Sequence, residues 1–378
     1  MKAKDAIMRR LRDVASGLVD VGSGAMSCRE RVRCALGHEE PDRVPVDFWA
    51  VPEVWERLRD FCGVGTGEEV LDLLHVDLRW VRPEYAGPPP RRLPDGTYFD
   101  VWGTHRRDVH NQYGVYAEYA GSPLGGAQSP ADVEGFSWPR PEYWDTGALP
   151  DQIRALNSAE EHFVCYEVGG IFELSWGLRG YERFLTDLAV EPDIACAIMD
   201  RITDIYIANV TRVLQAAAGE IDMVYTYDDV GTQAGLLLSP RMWRQYILPR
   251  HRRLNAAIRQ FDVKIMYHSC GAVFPLIEAF VDEMDIDVLN PIQPRAEGMD
   301  PACIKRAYGD RLSFYGAIDI QQTMPHGEPA DVRLEARERC RTMGVGGGYI
   351  MATAHNMQAD TPLDNILALY HTPRQVTD

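Results

Sequence analysis

Tyr267-His268-Ser269-Cys270-Gly271 sets an imidazole and a thiol two residues apart, directly after the apolar run Val263-Lys264-Ile265-Met266. Both groups are good transition-metal ligands, and a mixed nitrogen and sulfur set suits zinc. A second polar break, Thr353-Ala354-His355-Asn356, follows the run Tyr349–Ala352. His268, Cys270 and His355, with a fourth position left to oxygen or solvent, would have the form of a catalytic zinc site. The His-x-Cys spacing alone fits equally well a histidine satisfied by backbone groups beside an inert cysteine. The metal reading requires the two runs to be strands whose ends converge.

Other polar groups stand at comparable places. Glu167 closes the run Phe163–Val168, and Glu173 follows it. Asp228 and Asp229 follow Met223–Tyr227, Gln293 follows Ile286–Leu289, and Asp319 follows Leu312–Tyr315. Asp229, Glu173 and Asp228 are candidate acid/base groups or binders of a substrate hydroxyl. The alternative is that each merely caps a helix. Adjacent residues of a strand point to opposite faces, so only one of Asp228 and Asp229 is expected in a pocket. Glu167, Gln293, Asp319 and Asn356 are candidate substrate contacts.

The elements that must position these groups are legible as a rhythm. After about residue 160 the apolar runs alternate with helical patterns such as Glu191–Ala218, Ser239–Gln260 and Ala330–Thr342. Strand–helix alternation predicts parallel strands joined by crossovers. With Val44–Phe48 and Asp77–Val81 the strands number eight, which predicts a single (β/α)8 TIM-type barrel with its chemistry at the C-terminal strand ends. Ser27-Cys28-Arg29-Glu30 is a capping-box pattern that opens the domain, predicted over residues 27–378. Residues 1–26 read as a helical extension. Residues 84–145, rich in Pro, Gly, Tyr and Trp, read as an antiparallel hairpin excursion that supplies a lid or pocket wall.

Bulk properties narrow the function classes. A net charge of −17 disfavours a nucleic-acid or anionic-membrane partner. No signal peptide and no membrane-spanning run are read. Eight cysteines without a C-x-x-C pair fit a reducing cytoplasm, where thiolates remain free for metal.

The chain resembles the uroporphyrinogen decarboxylase superfamily, and most closely its branch of corrinoid-dependent methyltransferases. The resemblance covers roughly residues 27–372. It rests on Leu178-Arg179-Gly180-Tyr181-Glu182, Asp228-Asp229-Val230-Gly231-Thr232-Gln233, Ser239-Pro240, His268-Ser269-Cys270-Gly271, Asn290-Pro291-Ile292-Gln293, Gly298-Met299-Asp300-Pro301, Tyr315-Gly316-Ala317-Ile318-Asp319, Gly346-Gly347-Gly348-Tyr349-Ile350 and His355-Asn356. It implies a (β/α)8 barrel and a zinc ion held by the His-x-Cys pair and a later residue. That later ligand is a cysteine in the zinc methyltransferases and His355 here. Thiol-methylating members place a Glu where this chain has Gln293. Decarboxylases carry an arginine-rich Trp-x-Met-Arg-Gln-Ala-Gly-Arg motif, and the corresponding Val46–Pro52 has no arginine.

The function so implied is transfer of a methyl group from an O-methyl donor, methoxyaromatics among them, to the cob(I)amide of a separate corrinoid protein. Zinc would act as Lewis acid on the ether oxygen. The chain has no Asp-x-His-x-x-Gly corrinoid motif of its own, so that cofactor must arrive on a partner. The competing readings are a metal-independent decarboxylase-like lyase and an accessory protein that binds a corrinoid carrier. Superfamily membership also carries an expectation of a homodimer.

Overall fold

The structure, a computed structural model, describes residues 25–112 and 114–376. Its centre is a parallel sheet of seven strands: β1 (Leu78–Val81), β2 (Phe163–Gly170), β3 (Met223–Tyr227), β4 (Lys264–His268), β5 (Val288–Ile292), β6 (Ser313–Ile318) and β7 (Tyr349–Thr353). They lie in sequence order across the sheet, and each pairs in parallel with the next. Helices form the crossovers, among them Asp193–Ala217, Leu248–Ile258 and Pro329–Met343. Alternate strand residues enter two apolar clusters. Leu78, Phe163, Cys165, Met223 and Met266 pack inside the curl, whereas Val164, Tyr166, Val224 and Ile265 pack with the helices. Burial on both faces explains why these strands read as unbroken apolar runs.

The expected closed (β/α)8 barrel is not formed. The sheet is a curled, open half-barrel, because Val44–Phe48 is not an eighth strand. That segment makes isolated bridges, Val46 to Met351 and, beyond it, Ala50 to Met357. Two features of its sequence prevent a ladder. Pro45 has no N–H to donate, and the Val46 N–H donates to the Asp77 side chain at 2.8 Å instead of to a neighbouring strand. The segment therefore spans the seam between β7 and β1 by few backbone hydrogen bonds: Asp47 N–H to the Met351 carbonyl at 3.2 Å and Met351 N–H to the Pro45 carbonyl at 2.9 Å on one side, and Asp77 N–H to the Val46 carbonyl at 2.9 Å on the other.

Asp77 anchors this seam. Its buried carboxylate also accepts from Arg31 at 2.6 Å and from Arg43 at 2.8 and 2.9 Å. Burial works against its charge, but Arg43 and Arg31 outweigh that and hold its pKa below the usual carboxylate value. The helix Cys28–Leu36, which carries Arg31, starts at Ser27 with Glu30 completing the capping box, as its sequence predicts.

Between β1 and β2 the chain forms two small antiparallel sheets. One pairs Glu84–Tyr85 with Trp144–Asp145. The other contains Arg91–Arg92, Tyr98–Phe99, His105–Asn111 and Gly114–Gly121. The Tyr116 hydroxyl donates to Gln358 at 3.1 Å, which ties the last of these strands to the segment after β7. The expected helix over residues 1–26 lies outside the described residues except for its last two. No helix among the described residues is long and apolar enough to cross a membrane.

Removing Asp77 takes the carboxylate from the buried Arg43 guanidinium and leaves Arg31 with Asp42 alone of its two acids. Asp77→Ala should cost about 3–5 kcal/mol of unfolding free energy, measured by urea denaturation against the wild type. A loss under about 1 kcal/mol, the value of an exposed pair, would show that Asp77 does not anchor the seam.

Candidate metal centre

His268 ends β4, and the ladder sets it beside Tyr227 of β3 and Asn290 of β5. Its Nδ1 lies 2.6 Å from Asn290 Oδ1. An amide oxygen only accepts, so Nδ1 carries the hydrogen and Nε2 is the nitrogen available to a metal. Nε2 faces Cys270 Sγ at 3.4 Å and Asp229 Oδ1 at 3.3 Å. The ligand atoms of His268, Cys270 and His355 all lie within 4.8 Å of one another. Tetrahedral zinc with ordinary Zn–N and Zn–S bonds separates its N and S donors by about 3.5 Å, so this donor set fits zinc in type and spacing.

The turn after β4 is fixed from both sides. Cys270 N–H donates to Asp229 Oδ1 and Gly271 N–H to Gln293 Oε1, each at 2.7 Å. Ser269 N–H donates to the Asn290 carbonyl at 2.8 Å, and its hydroxyl accepts from Val230 N–H at 3.0 Å. Gly271 has φ +89°, and a Cβ there would stand 2.6 Å from the Gly231 backbone. Only glycine satisfies both demands. The position of the thiol is therefore set by the backbone and not left to a mobile loop.

The acids separate by environment. Asp229 is half-buried; burial opposes its charge, but the hydrogen bond and charge of His268 hold its pKa below the usual carboxylate value. Glu173 accepts the Asp229 N–H at 2.8 Å. Burial, reinforced by the charges of Asp229 and Asp228, pushes its pKa up to about 7. Burial disfavours the His268 imidazolium, yet hydrogen bonds to Asp229 and Cys270 outweigh this and raise its pKa. Burial and the neighbouring His268 keep His355 low, hence as neutral imidazole. Asp228 stands apart from this group. Its fully buried carboxylate accepts from the N–H groups of Phe172 and Glu173 and contacts His251 Nε2 at 2.6 Å. It thereby fixes the start of the helix Ile171–Arg179, which carries Glu173.

A cavity of about 410 Å³ opens beside the centre. It is lined by Phe48, Trp49, Trp55, Trp80 and Tyr225, with Arg82, Glu167 and Asn356 as polar members. Tyr225 also packs edge-on against His268, with ring centroids 6.0 Å apart. A smaller hollow of about 190 Å³ touches Cys270, His355 and Gln293 directly. Glu167 meets Arg82 at 3.2 Å. Asp319 instead accepts from Gln321 N–H of its own loop at 2.7 Å and faces Arg295, in the segment after β5, at 3.4 Å. Sequence reasoning gave Asn290 no role of its own, and it did not identify Trp80 and Arg82 as cavity residues. Asn290 stood within a noted motif, but nothing in spacing signals a hydrogen bond to a histidine 22 positions earlier.

Residues 125–376 match the family described as uroporphyrinogen decarboxylase (URO-D). Among curated relatives, the methylated-thiol–coenzyme M methyltransferase of Methanosarcina mazei is 25% identical over 245 residues, which cover 64% of this chain and 61% of that protein. A uroporphyrinogen decarboxylase of Coxiella burnetii is 25% identical over 238 residues, covering 58% of this chain and 60% of the enzyme. The methylcobamide:CoM methyltransferase MtbA of Methanosarcina mazei is 23% identical over 229 residues, 59% of this chain and 62% of that protein. The matches thus span about three fifths of these relatives' lengths. A solved methyltransferase structure from Methanosarcina mazei superposes with a TM-score of 0.65 at 18% identity, covering 92% of this chain and 98% of that one, a likeness of fold. With two thirds of its length matched to the family, the chain belongs to the uroporphyrinogen decarboxylase superfamily and is similar to its corrinoid-dependent methyltransferases.

Proposed function

We propose that the chain is a zinc-dependent methyltransferase that moves the methyl group of an O-methyl, methoxyaromatic-type donor to the cob(I)amide of a separate corrinoid protein. The observation that carries this reading is the convergence of His268, Cys270 and His355 at one rim of the sheet. These three residues would hold zinc, which when bound supplies Lewis acidity toward the ether oxygen. A set of one thiolate and two neutral imidazoles carries a single negative charge. It therefore leaves a divalent ion more electrophilic than a two-thiolate set would, which suits an oxygen leaving group.

The chain's own residues do the rest. The aromatic cavity receives the ring, with Tyr225 between it and His268. Glu167, Asn356 and Gln293 orient the substrate through hydrogen bonds, and Asp319 acts through its loop. In the transfer the C–O bond breaks with its electron pair on oxygen, the methyl leaves to the corrinoid, and the oxygen takes a proton. Asp229 and Glu173 have their pKa values pushed apart, which divides their roles. Asp229 stays a carboxylate that holds the Cys270 N–H, and Glu173 keeps a proton near neutrality for the leaving oxygen. Asp228 positions Glu173. A tetrapyrrole with several carboxylates would call for several cations, and Arg82 is the one cation among the described residues that line the cavity. That disfavours decarboxylation of a porphyrinogen.

His268→Ala/Cys270→Ala should lose about one zinc ion per chain by elemental analysis. It should also slow methyl transfer by about 100-fold or more in a screen of methoxyaromatic donors with reduced corrinoid protein. Full activity in zinc-stripped protein would sink the proposal.

The proton on Glu173 has a measurable signature in the metal-free chain. A carboxyl whose folded pKa is raised contributes stability that is fully present below about pH 4.5 and is lost as pH rises through about 7. The loss should amount to at most about 3 kcal/mol. Urea titrations from pH 5 to pH 8 should find this decline in the wild type and a flatter profile in Glu173→Gln. Parallel profiles would place the proton elsewhere.

A further inference from the structure

A cavity of about 640 Å³ lies apart from the His268 centre. It runs along the edge strand β1, from the residues that lead into β1 and β2 up to Trp80 and Val81. Cys28, Glu160 and His162 are among its lining residues. Cys28 is the first residue of the helix Cys28–Leu36, and Glu160 and His162 immediately precede β2. Their ligand atoms all lie within 4.8 Å of one another, with Cys28 Sγ 3.2 Å from Glu160 Oε1. The sulfur–oxygen edge of a tetrahedral zinc site is about 3.5 Å.

We propose that Cys28, Glu160 and His162 form a second metal site that takes a zinc-class divalent cation and fastens the helix Cys28–Leu36 to the start of β2. Three observations carry this beyond the proximity of donors. The first is the state of the histidine. His162 Nδ1 lies 3.2 Å from the Leu156 carbonyl, which can only accept, so Nε2 holds the lone pair. Asn290 imposes the same tautomer on His268. The second is that the ligand-bearing backbone is already fixed. Arg29 N–H donates to the Glu161 carbonyl at 2.9 Å, and His162 N–H donates to Asn157 Oδ1 at 3.0 Å. The third is access and charge. Cys28 and His162 are buried while Glu160 is exposed, so an ion can enter from solvent, and the cavity leaves space for a water as fourth ligand. An ion that binds displaces to solvent the proton Cys28 Sγ donates to Glu160, and the resulting thiolate and the carboxylate together neutralise a divalent cation. The Arg31 guanidinium, 3.9 Å from the sulfur, is engaged by Asp42 and Asp77.

This site is independent of the methyl-transfer reading and is tested in a chain that lacks the first centre. Full-length His268→Ala/Cys270→Ala protein, stripped with chelator and titrated with zinc, should retain about one zinc ion per chain after gel filtration. Adding Cys28→Ser or, in a separate variant, His162→Gln should abolish that ion. Zinc should raise the melting temperature of the double variant by about 3–5 °C, and the His162→Gln triple variant should not respond. A double variant that retains no zinc overturns the proposal. So does zinc retention unchanged by His162→Gln, which also serves if Cys28→Ser does not fold.

Discussion

One buried carboxylate decides whether the strand ends can meet. An open parallel sheet has two unpaired edges, and nothing in its ladder holds them at a set distance. Asp77 directly precedes β1, one of these edges. It accepts from Arg31, Arg43 and the Val46 N–H, and its own N–H binds the Val46 carbonyl. The segment so held is also bonded to Met351 of β7. The curl maintained at this seam brings the turn after β7, with His355, beside the turn after β4, with His268 and Cys270. The geometry at one end of the sheet thus depends on charge pairing at the other.

At the rim, neighbours hold each functional group from the side. Strand β5 acts twice on the turn after β4, through Asn290 on the imidazole and Gln293 on the Gly271 N–H. Strand β3 acts through Asp229 on the Cys270 N–H, and Glu173 in turn holds Asp229 through its N–H. This chain of contacts spans three strands without a bulky loop. It separates the proton affinities of two acids that share one environment.

Much of this was legible because β2 to β7 are buried on both faces, and such strands announce themselves as apolar runs ended by polar residues. The same signal misled at Val44–Phe48. That segment is equally apolar and equally buried, but it is buried by seam packing rather than by a ladder, and hydropathy does not distinguish the two. Pro45 was the available warning. Of the two adjacent acids, alternation indicated that only one would face the site. It did not say which, since that follows from the His251 and His268 rings on separate elements. The cluster sets Cys28 against Glu160, 132 positions later, and His162, so no local spacing records the thiol's part in it.

The irregular seam also bears on how relatives of this chain diverge. Phe48, Trp49 and Ala50 form one wall of the aromatic cavity, yet they belong to a segment joined to the sheet by isolated bridges. Exchanging a side chain there leaves every rung of the seven-stranded ladder intact. A wall outside the ladder can be rewritten by drift at little cost to folding. The turn after β4, locked by Gly271 and by hydrogen bonds to Asp229 and Gln293, cannot. Ligand choice would then evolve at the seam, and the reacting centre would stay as inherited.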